Sequence, residues 1–385
     1  TVINSGVLRA TPGVSLPNGE LQLRGGVFEI SGVTSFARNV TRGIGAVNWS
    51  GVDNLNAKIG QDQGSGGFAA FGSDVIIDLN NAGPTTLAWE DAGFVNSGHA
   101  LIFGSRTADR SITWSDNLSL SAIQQVVNYN AREIRVNDNP NSNADLARIS
   151  GVVSGSVQND LLKTGSGRLE LTGANTFSGS TIVHEGSLTV NSPGSTASNF
   201  VTDVHGGATL GGNGTVGPVS IAPNGTLAPG SDLTNTGILS VLAPNANTAV
   251  AFTGPGARFS IQIGGTAPGT GHDQIAVTGG VTLNGATLQG SLLNNFTPAP
   301  NDLFFIIIND GTDPVSGEFA EGNLAFLDFQ AFNISYAGDS ATNSVTGGND
   351  VVLQLVPEPG TAALGLAGLL LLTARRRRPV VAHLA

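Results

Sequence analysis

Apolar and polar residues alternate with a period of two through most of the chain. The stretch GELQLRGGVFEI (19–30) sets Leu21 and Leu23, then Val27, Phe28 and Ile30, around a Gly-Gly turn. GRLELTGANTFSGSTIVHEGSLTVNS (167–192) reads as strand, turn, strand, turn, strand, which is the half-buried β pattern. Helical periodicity is nearly absent before the C-terminal tail. The one contender, LSLSAIQQVVNYNAREIRV (118–136), has strand-like flanks and is read as β with a connecting turn.

The strands also repeat. Leu169, Leu188, Leu210 and Leu227 each close a Gly-x-Leu-like motif and lie 19, 22 and 17 residues apart, and GVTLNGATL (280–288) continues the series. A strand-turn unit of about twenty residues cannot bury its own apolar face, so neighbouring units must stack into a solenoid. Gly and Asn would then take the corners, where φ is positive. A β-sandwich competes, because the Asn-Gly pairs in PNGTL (223–227) and LNGATL (283–288) are hairpin signals. The solenoid is preferred, in four sections. Residues 1–150 form an N-terminal solenoid section whose start reads as the middle of a repeat, and 151–245 hold the clearest repeats. Residues 246–355 carry longer, more apolar strands such as DLFFIIIND (302–310) that would cap the exposed end. Residues 356–385 form a distinct tail.

Composition narrows the function. Fifty-four glycines accompany only 12% charged residues and a formal charge of −11. Without the tail the balance is 13 basic against 27 acidic residues, or −14. That excludes nucleic acid as a partner, since phosphate contacts need clustered Lys and Arg. The chain has no cysteine, so disulfides, thiolate metal sites and cysteine nucleophiles are ruled out. It has no methionine either, and Thr1 is not a natural translation start.

Residues 161–192 (LLKTGSGRLELTGANTFSGSTIVHEGSLTVNS) carry Leu162, Lys163, Thr164, Gly165, Gly167, Leu169, Leu171, Gly173, Asn175, Phe177, Gly179, Gly186 and Leu188. In that order they resemble the autotransporter-associated β-strand repeat of bacterial passenger domains. The resemblance implies a right-handed parallel β-helix exposed outside the cell. The tail, VPEPGTAALGLAGLLLLTARRRR (356–378), resembles the PEP-CTERM sorting signal. Its site residues are Pro357, Glu358 and Pro359, followed by Arg375, Arg376, Arg377 and Arg378. This second resemblance implies processing by an exosortase in a Gram-negative bacterium that makes extracellular polysaccharide. No run of alternating strands follows the repeats to form an outer-membrane barrel, so the expected export route is not a self-made pore.

The tail's physics agrees. Thr361–Ala374 is 14 uncharged residues, about 21 Å as a helix against a hydrocarbon core of roughly 30 Å. A short apolar helix of this kind suits a signal held transiently in the inner membrane, with the arginines cytoplasmic. A buried C-terminal helix with a solvated basic end is the plainer alternative.

Several motifs carry candidate chemistry. GNGTVG (212–217) has the dinucleotide spacing with Asp232 beyond it, but PVSIAPNGTLAPG follows in place of a helix, so corners are the better reading. Asp138, Asn141, Asn143 and Asp145 in NDNPNSNAD could ligate calcium, and local turn capping is favoured over it. His184 and His205 could be neighbours on successive coils beside Glu185 or Asp203, with solvated turn histidines the simpler reading. Trp49, Trp89 and Trp114 could stack on sugars but are read as wall packing. The acids of the clearest repeats, Asp160, Glu170, Glu185, Asp203 and Asp232, do not recur at the coil period. The expectation is therefore a non-enzymatic, all-β exported surface or matrix protein, adhesive in character, with no cofactor and no metal. Exosortase and extracellular polysaccharide are its expected partners. A β-helical polysaccharide lyase or hydrolase is the alternative.

Overall fold

The computed structural model describes residues 1–49, 64–79, 85–91, 93–121, 131–156, 159–196, 200–230, 235–243, 248–311 and 313–357. Every element among them is a β-strand. A thirteen-stranded and a twelve-stranded sheet run the length of the molecule, and strands separated by a whole coil are neighbours within each. Pairing is parallel throughout both. A third face is built from a three-stranded sheet and, further along, a seven-stranded one.

One coil shows the path. Residues Ala131–Val136 lie in the twelve-stranded sheet, Ala147–Ile149 in the thirteen-stranded sheet, and Val153–Ser154 on the third face. The next coil then begins at Asp160. This is a three-sided β-solenoid, and the parallel register disposes of the sandwich. Both Asn-Gly pairs prove to be corners between different sheets. Asn224 (φ 67°) joins Val219–Ile221 to Thr226–Pro229, and Asn284 (φ 47°) joins Gly280–Thr282 to Thr287–Leu292.

The leucine series becomes a column of stacked side chains. In register, Val75, Ile112, Ala147, Leu169, Leu188, Leu210, Leu227, Phe259 and Leu288 follow one another, all buried. Each such side chain contributes roughly 1.5–3 kcal/mol by leaving water. Coil length tracks what the interior holds. Strand starts in the twelve-stranded sheet lie 39, 34 and 31 residues apart from Val27 to Ala131, then 21 and 21 from Asp160 to Thr202. The long coils enclose an aromatic run of Phe28, Phe36, Phe68, Trp49, Phe94, Trp89, Trp114 and Phe103, with ring centroids 5.0 to 6.0 Å apart. The short coils lack this aromatic run and are filled mainly by Leu, Val and Ile.

At the C-terminal end parallel pairing gives way. Leu303–Asn309 pairs parallel with the coil beneath it and antiparallel with Asp350–Leu355, which pairs antiparallel with Gln330–Gly338; Leu324–Leu327 closes the edge. The expected apolar C-terminal helix lies outside the described residues. Among the described residues there is no helix, hence none long and apolar enough to cross a membrane.

Candidate functional site

The corner that follows the twelve-stranded sheet carries the most distinctive surface. Here the strand Asp160–Thr164 turns through Gly165 (φ 73°) into Arg168–Leu171. A side chain at Gly165 would meet the Val136 carbonyl at 2.4 Å, so only glycine lets successive corners nest. The inward column of this sheet should be apolar, and it reads Leu101, Ile134, Lys163, Val183, Val204, Ile221 and Phe252. Lys163 breaks the pattern, yet it is 0% exposed.

Its ammonium is accommodated by three backbone carbonyls. Nζ donates to Gly165 at 2.7 Å and to Thr164 and Glu185 at 3.0 Å each. A buried cation needs such partners. Burial pushes the Lys163 amine down to about 7, with Glu185 acting the other way. The lysine thus clamps one corner to the next from inside.

Outside the same corner lies a groove of about 890 Å³. It reaches from Val7 to Glu185 and is lined by Arg106, Arg135, Asn137, Asp138, Ser166 and Glu185 among others. Seven successive strands of the twelve-stranded sheet separate its ends, six spacings of about 4.8 Å, so the groove is roughly 29 Å long. Arg135 is held by Glu133 at 2.8 Å, and Thr164 Oγ1 donates to the same carboxylate at 2.6 Å. The loop bearing Arg106 is pinned from below. Glu29, fully buried, accepts from Ser105 Oγ at 2.6 Å and Thr107 Oγ1 at 2.8 Å and is paired with Arg9. The loop also covers a small apolar cluster, Val27, Ala69, Ala100, Ile102 and Ala108. Fixed donors and acceptors along an open trough suit an extended polar polymer.

The sequence candidates distribute as follows. His184 and His205 do meet on successive coils, with ring centroids 5.0 Å apart, at the exposed end of this corner. Among the described residues no group of three potential ligands gathers there or elsewhere. Asp145 accepts from Asn139 N at 2.7 Å and Asn139 Oδ1 from Asn141 N at 3.1 Å, so the NDNPNSNAD loop is tied to itself. Burial raises the Asp145 carboxyl above its ordinary value. Trp49, Trp89 and Trp114 lie wholly in the core. Asp160 caps Ser180 N at 2.8 Å, Glu170 binds Arg148 at 2.6 Å, and Asp203 sits half-buried on the outer face. Of these acids Glu185 lines the groove; Asp232 lies outside the described residues. Gly212 stands at a strand end at φ 120° and pairs with Gly230, which leaves the GNGTVG glycines as corners. Pro357 is exposed at the end of the last strand, and Glu358, Pro359 and Arg375–Arg378 lie outside the described residues. Sequence reading missed Lys163 as a buried group. The available signal was its even spacing with Leu161 inside an alternating strand.

Stacked, glycine-cornered repeats in parallel register define this chain as a β-solenoid. Residues 161–190 match the Passenger-associated-transport-repeat family. The chain is 31% identical over 192 residues, 48% of its length, to the "Extracellular serine protease" of Serratia marcescens, and covers 17% of that protein. It is 39% identical over 102 residues, 26% of its length, to the "Adhesin BmaC autotransporter" of Brucella suis biovar 1 (strain 1330), covering 3% of it. The chain therefore spans less than a fifth of the length of these relatives. The likeness supports export to the cell surface or extracellular space of a Gram-negative bacterium. It also corrects one expectation. Sparse, non-recurring acids suggested a protein without catalysis, but a relative matched over nearly half the chain is named as a protease. The weakness of that inference was physical: catalytic groups come from adjacent coils or an appended unit and need not recur at the coil period.

Proposed function

We propose that this chain is the solenoid of an exported surface protein that holds an extended extracellular polysaccharide in its corner groove. The observation that carries the reading is the groove itself, about 29 Å long, lined by both Arg106 and Arg135 and Asp138 and Glu185. Paired charges and amides match hydroxyls, carboxylates and ring oxygens of a glycan chain. Incubating the full chain with neutral and acidic polysaccharides tests this. Retention on the polymer should fall at least several-fold in Arg106→Ala/Arg135→Ala, and release of new chain ends would make the protein a depolymerase. No retention on any polymer refutes the groove reading.

A second reading, a protein-cleaving passenger, is favoured by the Serratia marcescens relative. Turnover of casein that is blocked by a serine-directed phosphonylating reagent would support it.

We further propose that the tail acts as an exosortase-read sorting signal, with Pro357, Glu358 and Pro359 as the recognition element and Arg375, Arg376, Arg377 and Arg378 held cytoplasmic. The chain would then contact the inner membrane transiently and be processed near Val356. Mass spectrometry of the protein from its native host checks this, and an intact Arg375–Arg378 cluster at the cell surface overturns it.

A further inference from the structure

The antiparallel strands at the C-terminal end include a hairpin of unusual chemistry. Leu327 pairs with Gln330, leaving Asp328 and Phe329 as a two-residue turn. Both have positive φ, 43° and 67°, the primed turn in which Asn-Gly or Asp-Gly is at ease. A bulky aromatic at such a position is a backbone outlier. Phe329 is 101% exposed, Phe326 66% and Leu324 42%, while the alternate residues Ala325 and Leu327 are buried. The hairpin is nevertheless rigidly placed. Asp328 Oδ2 accepts from Leu292 N at 2.6 Å, and Tyr336 Oη donates to Gly322 O at 2.6 Å and accepts from Phe319 N at 3.0 Å. Three large apolar groups are thus held in water on a sheet edge that nothing covers among the described residues.

The chain leaves the solenoid beside this hairpin. Leu355 pairs with Phe332, and Val356 N donates to Ala331 O at 2.8 Å. Pro357 therefore starts the tail next to Gln330, one residue from Phe329. The uncharged segment begins at Thr361, four residues on, and four extended residues reach at most about 14 Å.

We propose that the hairpin tip docks on the lipid surface, with Phe329, Phe326 and Leu324 entering the interfacial layer while the tail is inserted. The inference rests on the membrane reading of residues 361–374. Covalent attachment holds the tip at high effective concentration against the bilayer, and apolar side chains beside a polar face bind at that depth. The lipid should be zwitterionic. Residues 191–355 contain eleven acidic residues and a single basic one, Arg258, and the turn itself carries Asp328, so an anionic surface repels this end.

The chain has no cysteine, so Phe329→Cys gives a unique attachment point for an environment-sensitive fluorophore in the full chain. Leu370→Cys reports on the tail and Asn284→Cys on an exposed corner away from the turn. Each labelled protein is bound to phosphatidylcholine vesicles containing a headgroup-proximal nitroxide lipid. The expected result is lipid quenching at position 329 about fivefold above that at 284, reduced when Phe326→Ser is added and when phosphatidylglycerol replaces half the lipid. Equal quenching at 329 and 284 overturns the proposal. Position 370 separates the two claims: lipid quenching there with none at 329 sinks only the hairpin contact, and quenching at neither site sinks the tail reading as well.

Discussion

Replacing Lys163 by Met tests whether the buried amine is a titrating clamp. Met has nearly the same length and no charge. Unfolded, the lysine keeps its proton to about pH 10.5; folded, burial lowers that point to about 7. Between these values the unfolded chain binds the additional proton, so stability of the wild type rises with pH, and the effect is fully developed only above pH 10.5. A shift of this size corresponds to roughly 1.4 kcal/mol per pH unit, some 4–5 kcal/mol across the window. Lys163→Met has no such group, but it leaves the Thr164, Gly165 and Glu185 carbonyls without their donor, about 1–3 kcal/mol for each one that water cannot reach. Urea unfolding at pH 6.5, 8 and 9.5, followed by the fluorescence of buried Trp49, Trp89 and Trp114, measures both. The stability advantage of wild type over variant should widen steadily with pH. Parallel curves would refute the argument, showing that the three carbonyls keep the ammonium charged well above pH 7.

Three further outcomes follow from the same geometry. Asp273, buried and accepting from Gly237 N and Gln262 N at 2.8 Å each, has its carboxyl raised by burial to about 7; its native state holds the proton longer, so wild-type stability should fall from about pH 4 to 7. Asp273→Asn should abolish that slope while costing about 1–3 kcal/mol, read from urea unfolding at pH 4, 5.5 and 7. Leu188→Ala, in the centre of the leucine column, should lose about 2–5 kcal/mol, and a loss under 1 kcal/mol in calorimetric or urea midpoints would contradict continuous stacking. Gly165→Ala should lower the yield of folded protein sharply, because its Cβ has no room against the Val136 carbonyl and φ is 73°; circular dichroism and limited proteolysis report on it.

Most of the fold could be read from one dimension. Leucines at near-regular spacing predicted the column from Leu169 to Leu227, because a period-two strand leaves the chain no other way to bury that face. Asn224 and Asn284 were ambiguous, since Asn-Gly serves a hairpin and a solenoid corner alike and only pairing partners separate them. The third face was not legible. Its strands are two or three residues long through the N-terminal coils and depend on neighbours a coil away. Lys163 was visible as a motif letter but not as an interior residue, because lysine is ordinarily exposed and its three acceptors come from corners set by tertiary stacking. The groove escaped for the same reason: Arg106, Arg135 and Glu185 are far apart in sequence and are brought onto one line by coils of unequal length.

The parallel register also has a mechanical meaning. Hydrogen bonds between coils point along the solenoid axis, so tension on the two ends loads the coils in series and opens them one at a time. A coil of 21 residues, such as that from Asp160 to Thr181, contributes about 4.8 Å when stacked and about 70 Å when drawn out. Eleven spacings of the twelve-stranded sheet come to about 53 Å, so a single opened coil about doubles the reach of the molecule while the rest stay folded. Under tension the solenoid would lengthen coil by coil before its remaining core is disturbed.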